Sequence, residues 1–149
     1  MLGSIFLTVH LVSAILWVGS VYMGTFFDWP SARESVKEGE FPFRFIVGQG
    51  RRIFYSVYMA ISFLWITGAG LVMLNPPQDS RTTMMLVAKG ICLFLMTAFT
   101  MYGTFSTWPK LQLATHAEAH EYYKYYMYRA LGTFFCGVIA SVLGLWLYL

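Results

Sequence analysis

The stretch Met84-Met-Leu-Val-Ala-Lys89-Gly-Ile-Cys92-Leu-Phe-Leu-Met96-Thr-Ala-Phe-Thr-Met-Tyr102 decides how the chain is read. It is apolar over nearly the roughly 20 residues that a helix needs to cross a bilayer, yet it contains a lysine. A charge in the middle of a membrane helix costs roughly 3 kcal/mol on insertion scales, so such a residue calls for a reason. Three further apolar segments flank this one. The four run about Leu2–Phe27, Ile53–Leu74, Thr83–Thr104 and Ala130–Leu149. With 58% hydrophobic and only 11% charged residues, the composition lies far from that of soluble domains. The expected fold is all-α: an integral membrane four-helix bundle with amphipathic cytoplasmic connections, in one domain of 149 residues.

The first segment is not a cleavable signal by pattern, since it lacks a basic leading region and is too long. Cys92 and Cys136 both fall inside helices and read as small packing residues rather than a disulfide framework. No internal repeat and no low-complexity segment stands out. Basic residues set the expected orientation. Arg33, Lys37, Arg44, Arg51 and Arg52 lie in the first connection, Lys110 and Lys124 in the third, and Arg129 at its end. The second connection carries Arg81 alone. Connections one and three are therefore expected inside and both termini outside, in a membrane of the bacterial inner (cytoplasmic) kind. The net charge of +3 comes from these flanking loops and gives no reason to expect nucleic acid as a partner. The expected partners are the lipid bilayer and either other membrane subunits or further copies of the chain.

Within the connections, Pro30 and Ser31 followed by Ala32–Glu38 and Gly39 predict a short helix with a start and a stop. Trp29, Phe41, Phe43 and Phe45 stand where interfacial aromatics anchor. Pro109 is expected to open a helix carrying His116, Glu118, His120 and Glu121. The tyrosines from Tyr122 to Tyr128 suit the headgroup layer.

His10 is the other titratable side chain inside an apolar segment. Counted from the outer ends of their helices at 1.5 Å per residue, His10 and Lys89 both lie roughly 10 Å deep. No acid accompanies them, because all seven carboxylates fall between the segments. Ser13, Ala14 and Trp17 share the helical face of His10: small residues that leave room for a flat ligand and an indole to wall it. An imidazole, a small-residue shelf and a cation suit a haem, with histidine on the iron and an ammonium on a propionate. Two plainer readings stay open. Lys89 can snorkel toward the headgroups, where Asp79 or the C-terminal carboxylate would meet it. His10 can simply hydrogen-bond across a helix interface.

The segment His10-Leu-Val-Ser-Ala-Ile-Leu-Trp17-Val-Gly19, together with Leu86-Val-Ala-Lys89-Gly90, resembles the first- and third-helix patterns of small HemJ-like and CopD-like membrane proteins. The likeness spans all four helices in hydropathy and these two patches in motif. The HemJ branch implies a b-type haem protein that oxidises protoporphyrinogen. There, the histidine matching His10 ligates the haem metal, and the lysine matching Lys89 is essential to catalysis. The CopD branch implies copper transport or resistance. The pattern departs where Tyr102 is followed by Gly103 instead of histidine, which bears on the oxidase activity more than on the haem.

Other constellations are weaker. His116 and His120 stand at i, i+4, a spacing that can bind a metal, but a solvated helix face explains them as well. Met73, Met84 and Met85 would lie near the outer surface and raise copper, since thioethers favour Cu(I). Gly132, Cys136, Ala140 and Gly144 form a small-residue seam for close helix contact. The leading expectation is a haem b protein of electron transfer or tetrapyrrole oxidation, with Ser13, Ala14 and Trp17 shaping the pocket. Lys89 would pair with a propionate, or ligate iron in its neutral form. Copper handling, or a non-catalytic place in a larger respiratory or photosynthetic complex, are the alternatives.

Overall fold

The structure is a computed structural model and describes residues 1–147. Helix α1 (Leu2–Met23) passes through one π-helical turn (Gly24–Asp28) into α2 (Trp29–Glu34). After a connection, α3 (Phe43–Leu74) runs back. Helix α4 (Ser80–Tyr102) passes through a second π turn (Gly103–Thr107) into α5 (Trp108–Leu113), and α6 (His116–Trp146) completes the chain. No strand occurs among the described residues. Four helices, Leu2–Glu34, Phe43–Leu74, Ser80–Leu113 and His116–Trp146, are long and apolar enough to cross a membrane. The expected all-α membrane bundle is what forms. Its outer faces carry side chains such as Ile15, 70% exposed, and Phe94, 63% exposed, an apolar surface that suits lipid.

The helices reach further than the apolar runs suggest. Helix α3 begins at Phe43 rather than near Ile53, and α6 at His116 rather than near Ala130. Pro109 does open a helix, α5, but that helix stops at Leu113. His116 to Glu121 are instead the first turns of α6, started by a capping box in which Thr115 and Glu118 bond each other's backbone. The last two positions of the expected fourth segment, and the C-terminal carboxylate proposed for Lys89, lie outside the described residues.

The structure also contains a repeat that the expectation above missed. Gly24-Thr-Phe-Phe-Asp-Trp-Pro30 and Gly103-Thr-Phe-Ser-Thr-Trp-Pro109 form the two π turns at the same place in each half. In both, the tryptophan N–H bonds the glycine carbonyl five residues back, Trp29 to Gly24 and Trp108 to Gly103. The physical reason is the proline. In a tight α turn its ring strikes the carbonyl four residues back, and widening that turn to π geometry relieves the clash. The chain is thus two helical hairpins in tandem, α1 with α3 and α4 with α6, each tightly packed within itself. Only the seven-residue turn keeps obvious identity, which is why the repeat is hard to see in the sequence.

Two cores stack along the bundle. Within the spans, Trp17, Ala60, Ile61, Leu64 and Met96 pack together. Beyond the π turns, Ala32, Phe41, Ile46, Leu111, Ala119 and Tyr123 form a second core. Trp29 and Phe41, expected as interfacial anchors, belong to this second core. Phe41 is buried, and the Trp29 ring lies 4.4 Å from that of Tyr123. Phe45 does remain exposed. The predicted helix after Pro30 ends at Glu34, and Gly39 adopts a positive φ of 86° in the loop that follows.

Candidate functional site

The offset that carries Gly24 onto Gly103 also carries His10 onto Lys89, Ser13 onto Cys92 and Trp17 onto Met96. The two ionisable groups of the membrane interior therefore occupy equivalent positions in the two hairpins, at equal distance from their π turns. Each also faces a glycine on the second helix of its own hairpin. A Cβ on Gly68 would stand 3.3 Å from His10 Cε1, and one on Gly144 would stand 2.9 Å from Lys89 Nζ. Glycine is what lets both polar side chains lie flat against the neighbouring backbone. The equal depth expected from helix counting agrees with this placement.

The hydrogen bonds around His10 favour one tautomer. Thr67 has one hydroxyl proton, and it donates this to the Phe63 carbonyl, 2.5 Å away. Its oxygen must then accept from His10, whose Nδ1 lies 2.9 Å distant. In the neutral imidazole this places the proton on Nδ1 and leaves Nε2 a lone pair without a hydrogen-bond partner among the described residues. A metal-bound imidazole has this form: one nitrogen anchored by a neighbour, the other ready to bind. Thr67 was not among the residues singled out from sequence. Its signal was weak, since a mid-helix threonine usually bonds only its own helix backbone.

Lys89 is half-buried. Its expected partner Asp79 is engaged elsewhere, capping α4 with bonds to the Thr82 N–H at 2.8 Å and the Thr82 hydroxyl at 2.6 Å. No described carboxylate pairs with the ammonium. Lys89 and His10 lie in different hairpins. No hydrogen bond joins them.

Ser13 and Trp17, on the His10 face, are buried, and Ala14 packs on the same core. Trp17 is completely enclosed, and its indole N–H has no partner. It is the centre of the membrane core. Cys92 and Cys136 are both free thiols, and the small-residue seam does receive side chains of α4, Phe99 against Gly132 and Lys89 against Gly144.

His116 and His120 are spent on another task. The Phe41 N–H donates to His116 Nδ1 at 2.8 Å, and His120 Nε2 lies 3.2 Å from the Glu40 carbonyl. Together they clasp the first connection onto α6. No group of three or more His, Cys, Asp or Glu able to hold a metal occurs among the described residues. Met73 and Met84 are largely exposed, and Met85 is half-buried.

No family model, no curated protein and no solved structure matches this chain.

Proposed function

We propose that this integral membrane protein binds a b-type haem through His10 and works in electron transfer or tetrapyrrole oxidation. The observation that carries the reading is the free Nε2 lone pair of His10, fixed in place by Thr67 behind it. The donor set fits the group: an oriented neutral imidazole for iron and, at the equivalent position, an ammonium that no carboxylate among the described residues pairs. His10 would hold the metal, and Thr67 would fix the imidazole plane and tautomer. Lys89 would neutralise a propionate, lying along Gly144 where no side chain displaces it. Haem would supply one-electron acceptance and release there. Trp17, buried beside Ala14, would keep water from the bundle interior below His10. The excess of basic residues in connections one and three supports a placement with both termini outside, so the site would lie toward the outer face.

The test is an absorption spectrum of detergent-purified protein, oxidised and dithionite-reduced, for wild type, His10→Ala and Thr67→Val. The expected result is a Soret and α band in wild type that His10→Ala abolishes and Thr67→Val shifts. A colourless wild type from cells with ample haem would overturn the proposal.

A further inference from the structure

The two hairpins do not pack symmetrically. Helix α1 leans on α6, while the equivalent pair, α3 and α4, barely meets. One hydrogen bond, Trp65 Nε1 to Thr97 Oγ1 at 3.1 Å, spans that gap. Where the helices stand apart, a cavity of about 390 Å³ is lined by residues of all four spans and by both π-turn glycines. One part of its wall is apolar, with Val21, Val57 and Phe99; another is polar, with Tyr58 and Arg129.

Two features of that polar part point to a ligand. The Tyr58 hydroxyl and the Arg129 Nε are buried and have no hydrogen-bond partner among the described residues, although buried donors are almost always satisfied. Arg129 is held by one bond from Nη2 to Thr107 Oγ1 at 2.5 Å and by the face of Tyr102 at 4.5 Å. Its charge meets no carboxylate among the residues that line the cavity. Charges partly withdrawn from water are normally paired, and an anion would complete this half-buried one.

Depth identifies the kind of anion. Arg129 lies against Tyr102, and from Met84 to Tyr102 the helix rises about 27 Å. The hydrocarbon core is roughly 30 Å thick. The guanidinium therefore lies at the far boundary of that core, where lipid phosphates begin, on the side of the basic connections. Arginine suits phosphate through its planar fork of donors, and the apolar wall suits the first carbons of an acyl chain.

We propose that this cavity seats the phosphate headgroup of an anionic phospholipid, held by Arg129 and Tyr58. The site is separate from His10 and does not rest on haem binding. Its test is lipid binding to the purified full chain by native mass spectrometry. Phosphatidylglycerol, phosphatidylcholine of the same acyl chains, and inorganic phosphate are titrated against wild type, Arg129→Gln, Tyr58→Phe and Lys124→Gln. Wild type is expected to bind phosphatidylglycerol about tenfold more tightly than phosphatidylcholine, because the choline cation offsets the charge of its phosphate beside Arg129. That preference should vanish in Arg129→Gln, shrink in Tyr58→Phe and survive in the exposed-lysine control Lys124→Gln. If Arg129→Gln does not fold, Tyr58→Phe decides. A preference untouched by the cavity variants, or inorganic phosphate binding as well as the lipid, overturns the proposal.

Discussion

The first hairpin places a histidine, and the second a lysine, at one position of a common frame. Both halves turn through a π segment before Trp-Pro, and both set a glycine opposite the ionisable group. They differ in what surrounds that group. In the first hairpin, α3 supplies Thr67, whose hydroxyl holds His10 in one tautomer. In the second, α6 supplies only an open glycine surface. One half holds its ionisable group by a hydrogen bond, and the other lays a cation along glycine with no hydrogen bond among the described residues. A repeated scaffold thus presents two unlike ionisable groups at equivalent positions, with the difference carried by a few side chains.

The largest test of this comparison compares its equivalent core positions. Trp17→Ala should destabilise by about 3–5 kcal/mol and Met96→Ala by about 2–5 kcal/mol, since both empty the same enclosed core. Thermal unfolding in detergent measures both. Equal, small losses would mean that the halves do not share a core there.

Next in size is the support behind the histidine. Thr67→Val keeps the shape but removes the acceptor, leaving the Nδ1–H unpaired at about 1–3 kcal/mol. Imidazole NMR should show the tautomer population shift with it. The clasp on the first connection ranks alongside. His116→Ala strands the Phe41 N–H, again about 1–3 kcal/mol. Limited proteolysis between residues 35 and 42 should accelerate, with the metal content of the protein unchanged.

A finer contrast uses the two glycines. In Gly68→Ala the new methyl meets the flat edge of His10, which has little freedom to give way, so its resonances should move. In Gly144→Ala the methyl meets the far end of a flexible lysine. That change should be neutral or stabilising by up to about 1 kcal/mol through helix propensity. The reverse pattern would show that Lys89 is the rigid member.

The smallest effect is a pH dependence at the start of α4. Hydrogen bonds from the Thr82 hydroxyl and N–H hold the Asp79 carboxyl below the usual carboxylate range. The cap therefore contributes fully above the ordinary Asp value and is lost as pH falls through the depressed folded value. Amide exchange at Thr82 should rise in acid, and Asp79→Asn should flatten that response.

Much of the site could be read before the fold was known. Lys89 and His10 stand out because ionisable groups are costly in hydrocarbon, whatever the helices do. Thr67 does not stand out, since its importance comes from the α1–α3 contact that brings it against His10. His116 and His120 at i, i+4 carry the same sequence signal whether they bind a metal or hold a loop. The backbone of residues 40 and 41 decides between the two. Trp29 and Phe41 were misplaced because an aromatic beside a membrane segment suits an interface as well as a core.

What the sequence alone determined was the class of solvent and the number of crossings: four long apolar segments leave the backbone no other way to satisfy its hydrogen bonds in lipid. It also set the polar exceptions, because a charge in hydrocarbon is conspicuous wherever it falls. Only the tertiary structure decided which groups meet: the bond between His10 and Thr67, the second core beyond the π turns, and the gap where α3 and α4 stand apart. Local pattern fixes what a segment can bury. Packing between segments distant in sequence fixes what it buries against, and no single stretch of the chain encodes that.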